Sequence, residues 1–225
     1  MTEPAHRGFF ISFEGTEGSG KTTQLRLLVQ RLRNQQLTVV DNQEPGTTAI
    51  GNEIRRLLLD PAHQEMAAMT ELLLMFASRA QATAEIITPA LHRGDIVVTD
   101  RYTDSTLAYQ GEARGLGFER VWDLHRLALG TLLPDLTICL ALDVQAGLAR
   151  AHRRNEDRAD ANNQDRFDRQ SAAFHARVLE GYRRIATLEP ERFRMVDATG
   201  TREAVAERIW AEVSPRLLAR LSVTE

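Results

Sequence analysis

An α/β architecture, a five-stranded parallel sheet flanked by helices in a three-layer sandwich, is expected of this chain on three grounds. Short apolar runs alternate with segments of helical periodicity along its length. The run Asp95–Thr99 is apolar at consecutive positions, as strands covered on both faces are. A glycine loop, Gly15 to Thr22 (GTEGSGKT), joins the first apolar run to the first helical segment.

Phe9 to Phe13 reads as a buried strand, and Thr22 to Leu32 as the helix that leaves the loop. Thr38 to Val40 is a second short strand, followed by a loop, Gln43 to Thr48, which proline and glycine punctuate. Ile50, Ile54, Leu57 and Leu58 share one face of a helix that Pro61 closes. A long helical pattern runs from Met66 to Leu91, with Pro89 as its expected kink or stop. Asp95–Thr99 is the third strand and runs into Asp100-Arg101-Tyr102. Ser105 to Gln110 is a short helical or loop segment, and Gly111, Gly115 and Gly117 mark an irregular connection. Phe118 to Leu129 is helical, Leu136 to Leu142 is the fourth strand, and Asp143 is placed to cap the helix Val144 to Arg154. Phe167 to Leu188 is helical, Phe193 to Val196 is the last strand and Thr201 to Leu221 the last helix. A single domain over residues 1–225 is expected, with a lid segment at about 153–166 whose composition suits a mobile element.

Composition narrows the partners. A net charge of −3 gives no global basic field for nucleic acid or anionic lipid. No apolar run approaches the roughly 20 residues of a membrane helix, so no membrane partner is expected. The polar start, MTEPAHRG, is unlike a secretory signal. The one cysteine, Cys139, sits in an apolar run and reads as a core thiol. A soluble, cytoplasmic protein is the expectation. The histidines show no metal-ligand spacing, and Ser12, Ser19 and Ser78 lack the context of a catalytic nucleophile.

The chemistry points to phosphate. Glycines let backbone N–H groups converge on a phosphate, and the helix that follows adds the positive end of its dipole. Lys21 is the only lysine among 28 cationic residues, kept where a compact ammonium suits β- and γ-phosphates. Thr22 offers a hydroxyl to Mg²⁺, and Asp100, at a strand end, can hold the same ion or its waters. Arg101 beside it can grip a phosphate with its fork. Ligands of parallel sheets bind beyond the carboxyl ends of the strands, which groups the glycine loop, Glu44, Asp100, Arg101 and Asp197 on one rim. Arg150, Arg153, Arg154, Arg158, Arg166 and Arg169 are mixed with acids; a solvated face is their default, and one or two are expected to close over a nucleotide. Phe76, Tyr102 and Tyr109 are aromatics for core packing or for stacking on a base.

With these residues laid out, the chain resembles the bacterial thymidylate kinases, nucleoside monophosphate kinases of the P-loop NTPase type. The resemblance runs from about Phe9 to Trp210. It is carried by FEGTEGSGKTTQ, EPGTT, ELLLMFASRAQ, PAL-x-RG with the strand and DRY after it, STLAYQG, LLPDLT, LDV, and DRFD followed by a helix with Phe174, Arg177, Gly181 and Tyr182. It implies transfer of the ATP γ-phosphoryl group to dTMP with Mg²⁺ at Thr22 and Asp100. It implies an ATP site of Gly15, Thr16, Glu17, Gly18, Ser19, Gly20, Lys21, Thr22 and Thr23. It implies a dTMP site of Glu17, Glu44, Pro45, Arg55, Phe76, Arg79, Arg101, Thr106, Tyr109 and Gln110. In it Glu17 would hold the 3′-hydroxyl, Arg101 the phosphate and Arg79 the thymine carbonyl. Thr106 and Gln110 would face the base, and Tyr109 would crowd the 2′ position. Lys21, Arg101, Arg150 and Arg166 are the implied catalytic cations, since the glycine loop carries no arginine. A homodimer formed by helix packing is implied too.

Three positions depart from the family pattern. Gln43 stands for an arginine, Thr47 for a glycine, and Met75 for the stacking phenylalanine, with Phe76 one residue along. A kinase of another pyrimidine monophosphate is therefore the alternative, and an ATPase acting on a partner protein the more distant one.

Overall fold

The computed structural model describes residues 8–157, 166–167 and 169–222. Five parallel strands form one sheet: β1 (Phe9–Gly15), β2 (Val39–Gln43), β3 (Ile96–Asp100), β4 (Leu136–Ala141) and β5 (Phe193–Asp197), in the order β2-β3-β1-β4-β5. β1 is central, and its alternation decides what each face receives. Phe9, Ile11 and Phe13 enter a core with Leu25, Leu28 and Leu32 of α1 (Lys21–Asn34) and with Val205, Ile209 and Val213 of α9 (Arg202–Ser222). Phe10 enters the opposite core. Ser12 and Glu14 share its side of the strand, so β1 carries a buried carboxyl toward that face.

The second face is covered by α3 (Ala68–Ala82), α6 (Phe118–Leu129) and α8 (Ala172–Leu188), packed on Phe10, Val97, Cys139 and Phe193. α2 (Ala49–Leu59) lies against α3. The long pattern is helical from Ala68 to Arg93, so Pro89 does not stop it. A π-helical turn, Thr83–Ile87, links α3 to α4 (Thr88–Arg93), and the backbone is helical at both junctions. Pro89 sits in the first turn of α4, where a missing N–H is tolerated. The irregular stretch after β3 is also wound: α5 (Thr103–Thr106) passes into a second π-helical segment, Leu107–Ala113. α8 packs closely on it, because a Cβ at Gly181 would stand 2.8 Å from the Ala108 Cα. That helix starts at Ala172 rather than Phe167, with Ser171 as its N-cap accepting from the Phe174 N–H. α7 (Val144–Asp157) starts where Asp143 accepts from the Ala146 N–H at 3.0 Å. Cys139 is buried.

Candidate active site

β1, β2 and β3 end side by side, and a cleft of about 840 Å³ opens beyond them. The glycine loop forms its floor. Gly15, Gly18 and Gly20 have positive φ, so the loop turns in a way that residues with a Cβ resist. Gly18 is further confined, since a Cβ there would meet the Gly147 carbonyl of α7 at 2.0 Å. Lys21 is buried and donates to the carbonyls of Gly15 (2.9 Å) and Thr16 (3.2 Å); those two residues, expected in the ATP site, do not line the cleft. Burial and the nearby Arg101 push the Lys21 ammonium below its ordinary pKa, while Glu17, Asp100 and Glu14 oppose them. Ser19 folds its hydroxyl onto the Thr16 carbonyl at 2.8 Å. Glu17, Gly18, Ser19, Gly20, Lys21, Thr22 and Thr23 all line the cleft. Thr22 donates to Asp100 at 3.2 Å, bringing two hard oxygen groups together.

Arg101 is the second pole. Its φ of 76° is unusual for a residue with a side chain, and its N–H is fixed on the Phe13 carbonyl at 2.9 Å. Its side chain lines the cleft. Nη2 donates to Glu17 (2.7 Å) and to the Tyr109 hydroxyl (3.1 Å); Nη1 donates to Ser105 (3.0 Å). Tyr109 also donates to Glu17 at 3.0 Å. Burial alone would raise the Glu17 carboxyl, but Lys21, Arg101 and the Tyr109 hydroxyl outweigh it and bring the group to about 2. Glu17 thus stays ionised between two cations.

Glu14 was not foreseen. It lies fully buried beneath Arg101 and accepts from the Tyr102 N–H (2.8 Å), the Ser12 hydroxyl (3.0 Å), the Tyr182 hydroxyl (3.0 Å) and Ser105. Burial first, then Asp104, raises its pKa. This acid aligns the strand end that carries Arg101. Its only signal in the sequence is a carboxyl inside an apolar strand.

The far end of the cleft is walled by Glu44, Pro45, Arg55, Met75, Arg79, Thr106, Gln110 and Phe167. Arg55 donates to the Pro45 carbonyl at 2.7 Å and steadies the loop that Thr47 turns through with φ 68°. Arg79 is 1% exposed; it donates to Thr106 at 2.9 Å and lies over the rings of Phe76 and Tyr102.

Three expected site residues need correction. Phe76 does not line the cleft: it is buried in the core with Leu72 and Tyr102. Met75 takes the cleft position, because Glu71, Met75 and Arg79 stand four apart on one stripe of α3 while Phe76 is turned about 100° away. Phe167, missed in the sequence, supplies the aromatic wall and packs edge-on against Tyr109 with centroids 5.8 Å apart. Arg166 does not reach the cleft either. It is 1% exposed, with Nη2 2.5 Å from Glu71 and Nε donating to the Leu58 carbonyl at 3.0 Å. Arg150 is exposed on α7 and is absent from the cleft wall. Asp197 ends β5 on the same carboxyl rim, as expected, but it lies outside the cleft wall and accepts from the Thr199 N–H and hydroxyl. The side chains of Arg153 and Arg154, and all of Arg158, lie outside the described residues, as does most of the expected lid. Among the described residues no group of three or more His, Cys, Asp or Glu side chains could hold a metal ion.

Comparison with known proteins speaks to the family and the fold. The family model for thymidylate kinase matches residues 13–209. A thymidylate kinase of Pelobacter propionicus is 48% identical over 206 residues, covering 92% of this chain and 94% of that protein. One from Geobacter sulfurreducens is 47% identical over 202 residues, covering 90% and 94%. The crystal structure of a thymidylate kinase from Ehrlichia chaffeensis superposes with a TM-score of 0.72 at 29% identity, covering 92% of this chain and 98% of that one. A match that spans the glycine loop and the arginine-bearing strand end and reaches into the last helix leaves one assignment: this chain belongs to the thymidylate kinase family.

Proposed function

We propose that the chain transfers the γ-phosphoryl group of ATP to dTMP, giving dTDP and ADP, within a single domain. The observation that carries this reading is that Lys21 and Arg101 line one cleft, with Glu17 ionised between them. An oxygen of the dTMP phosphate attacks the γ-phosphorus, and the bond from that phosphorus to the β-bridging oxygen breaks. The work of such a transfer is positioning and electrostatic.

The glycine-loop amides and Lys21 hold the β- and γ-phosphates of ATP. Arg101 holds the acceptor phosphate, in a pose set by Glu14 through Ser105 and Tyr182 and by Tyr109. Glu17 takes the deoxyribose 3′-hydroxyl as an acceptor, and Tyr109 closes the space that a 2′-hydroxyl needs. The base lies between Arg79, Thr106 and Gln110, with Met75 and Phe167 as apolar walls. Thr22 and Asp100 form an all-oxygen pair that suits Mg²⁺, which when bound neutralises phosphate charge. Residues 153–166 act as a lid whose arginines, apart from Arg166, which Glu71 and the Leu58 carbonyl hold, add charge once water is excluded. Lys21 starts the reaction bound to its own loop carbonyls, and ATP phosphates replace those partners.

Two chains associate through α2, α3 and α6. Ile50, Leu57, Met69, Leu73 and Leu127 are 40–84% exposed there, an apolar patch unusual on a free surface. No helix among the described residues is long and apolar enough to cross a membrane, and a cytoplasmic setting fits the nucleotide substrates. The test is phosphorylation of dTMP, dUMP, UMP and CMP by ATP with Mg²⁺. A clear preference for dTMP is expected. Preference for UMP or CMP, or ATP hydrolysis that needs no acceptor, would overturn the assignment.

A further inference from the structure

Glu71 is a fully buried carboxylate on the first turn of α3. Two arginines from distant segments close on it. Arg114 meets it with Nε 3.2 Å from Oε1 and Nη2 3.1 Å from Oε2. Arg166, at the end of the expected lid, brings Nη2 to 2.5 Å from Oε2. Gln110 completes the group, its Nε2 donating to Oε1 at 2.7 Å. Flanked by two guanidiniums, Glu71 is an acceptor only.

That chemistry dictates the state of Gln110. An amide has one donor end and one acceptor end, and a carboxylate bonds only the donor end. With its NH₂ turned to Glu71, Gln110 has its carbonyl Oε1 left to offer the cleft it lines. Nearby, Arg79 can only donate. The cleft end therefore presents one donor and one acceptor in a set order. Thymine and uracil match it, with a C4 carbonyl for Arg79 and an N3–H for Gln110. Cytosine mismatches at both points, since it carries an amino group at C4 and a bare N3.

We propose that Glu71 is a positioning residue that selects the base: by locking the amide of Gln110, it makes the enzyme accept pyrimidines with an N3–H and reject those without one. The proposal rests on the reading that the base of a nucleoside monophosphate lies beside Arg79 and Gln110. It also gives Arg114 and Arg166 a role, namely holding Glu71 in place.

The experiment compares kcat/KM for dTMP and for 5-methyl-dCMP, which differ only at C4 and N3. The wild-type enzyme is expected to favour dTMP by roughly 10⁴-fold, from two unmatched buried polar contacts. In Glu71→Gln the partner of Gln110 can be donor or acceptor, the amide is free to turn, and the ratio is expected to fall at least tenfold. The double variant Glu71→Gln with Gln110→Glu restores an acceptor-only group facing the base, and the ratio is expected to recover. A purely structural role for Glu71 would lower both substrates together and leave the ratio unchanged, which would overturn the proposal. If Glu71→Gln does not fold, the wild-type ratio still decides, because use of 5-methyl-dCMP within tenfold of dTMP overturns a locked acceptor. A wild-type enzyme that does not phosphorylate dTMP at all would instead refute the proposed function itself.

Discussion

Replacing Glu44 by glutamine isolates the cost of one buried carboxyl. Glu44 is enclosed behind the Pro45 loop. Its Oε1 accepts from Asn42 at 3.3 Å, and its Oε2, without a hydrogen-bond partner, stands 3.7 Å from the Arg79 Nε. Burial outweighs the pull of Arg79 and Asn42 and raises the carboxyl from an ordinary 4.5 to about 7. A raised acid makes the folded chain hold its proton longer than the unfolded chain does. Stability therefore falls as pH rises from about 4.5 to about 7 and is flat beyond. At about 1.36 kcal/mol per tenfold in proton affinity, the full loss is about 3 kcal/mol, of which about 2.5 kcal/mol falls between pH 5 and pH 8. Glutamine cannot ionise, so this slope is absent from the variant. Constant effects of the substitution on Arg79, and the titration of every other group, cancel when the two pH series are subtracted. Thermal unfolding at pH 5, 6, 7 and 8 should show wild-type Tm losing about 5–10 °C relative to Glu44→Gln across the series. Parallel curves would refute the reasoning, and would mean that Glu44 stays ionised beside Arg79 at pH 5.

Replacing Lys21 or Arg101 by alanine should lower kcat roughly 10²-fold or more, because each acts on charge that develops during transfer; near-normal turnover in single-turnover assays would remove the residue from the mechanism. Met75→Ala should raise the KM for dTMP severalfold with little change in unfolding midpoint, whereas Phe76→Ala should cost about 3–5 kcal/mol of stability by emptying a core position; urea titrations alongside steady-state kinetics separate the two. Leu73→Glu should shift sedimentation toward monomer if the apolar patch of α2, α3 and α6 pairs two chains, and an unchanged profile would place the contact elsewhere.

What was legible in the sequence is what local spacing encodes. A glycine loop between an apolar run and a helix, or an aspartate and arginine at the end of a buried strand, states its own place on the rim, because strand ends share one edge of a parallel sheet. The choice between Met75 and Phe76 was less legible, since two adjacent apolar residues on a helix buried on several sides look alike. Only the four-residue step from Arg79 separates them. The buried acids were hidden for another reason. Glu14 meets Tyr182 across 168 positions, and Glu71 meets Arg114 and Arg166 from segments that periodicity cannot pair.

Arg166 shows how the two kinds of information interact. Its place beside a polar, arginine-rich stretch marks it as a lid cation, yet a cation can serve a moving phosphoryl group only if nothing else holds it. Here Glu71 and the Leu58 carbonyl hold it, at one end of the segment that leads to Phe167. A buried ion pair of this kind is costly to break, because either partner left alone is an unpaired charge away from water. That cost is useful: it fixes Arg166 and, next to it, the aromatic wall that Phe167 sets beside Tyr109. The phosphate end of the cleft can thus exchange partners, as Lys21 must, while the base end is built from groups that keep theirs.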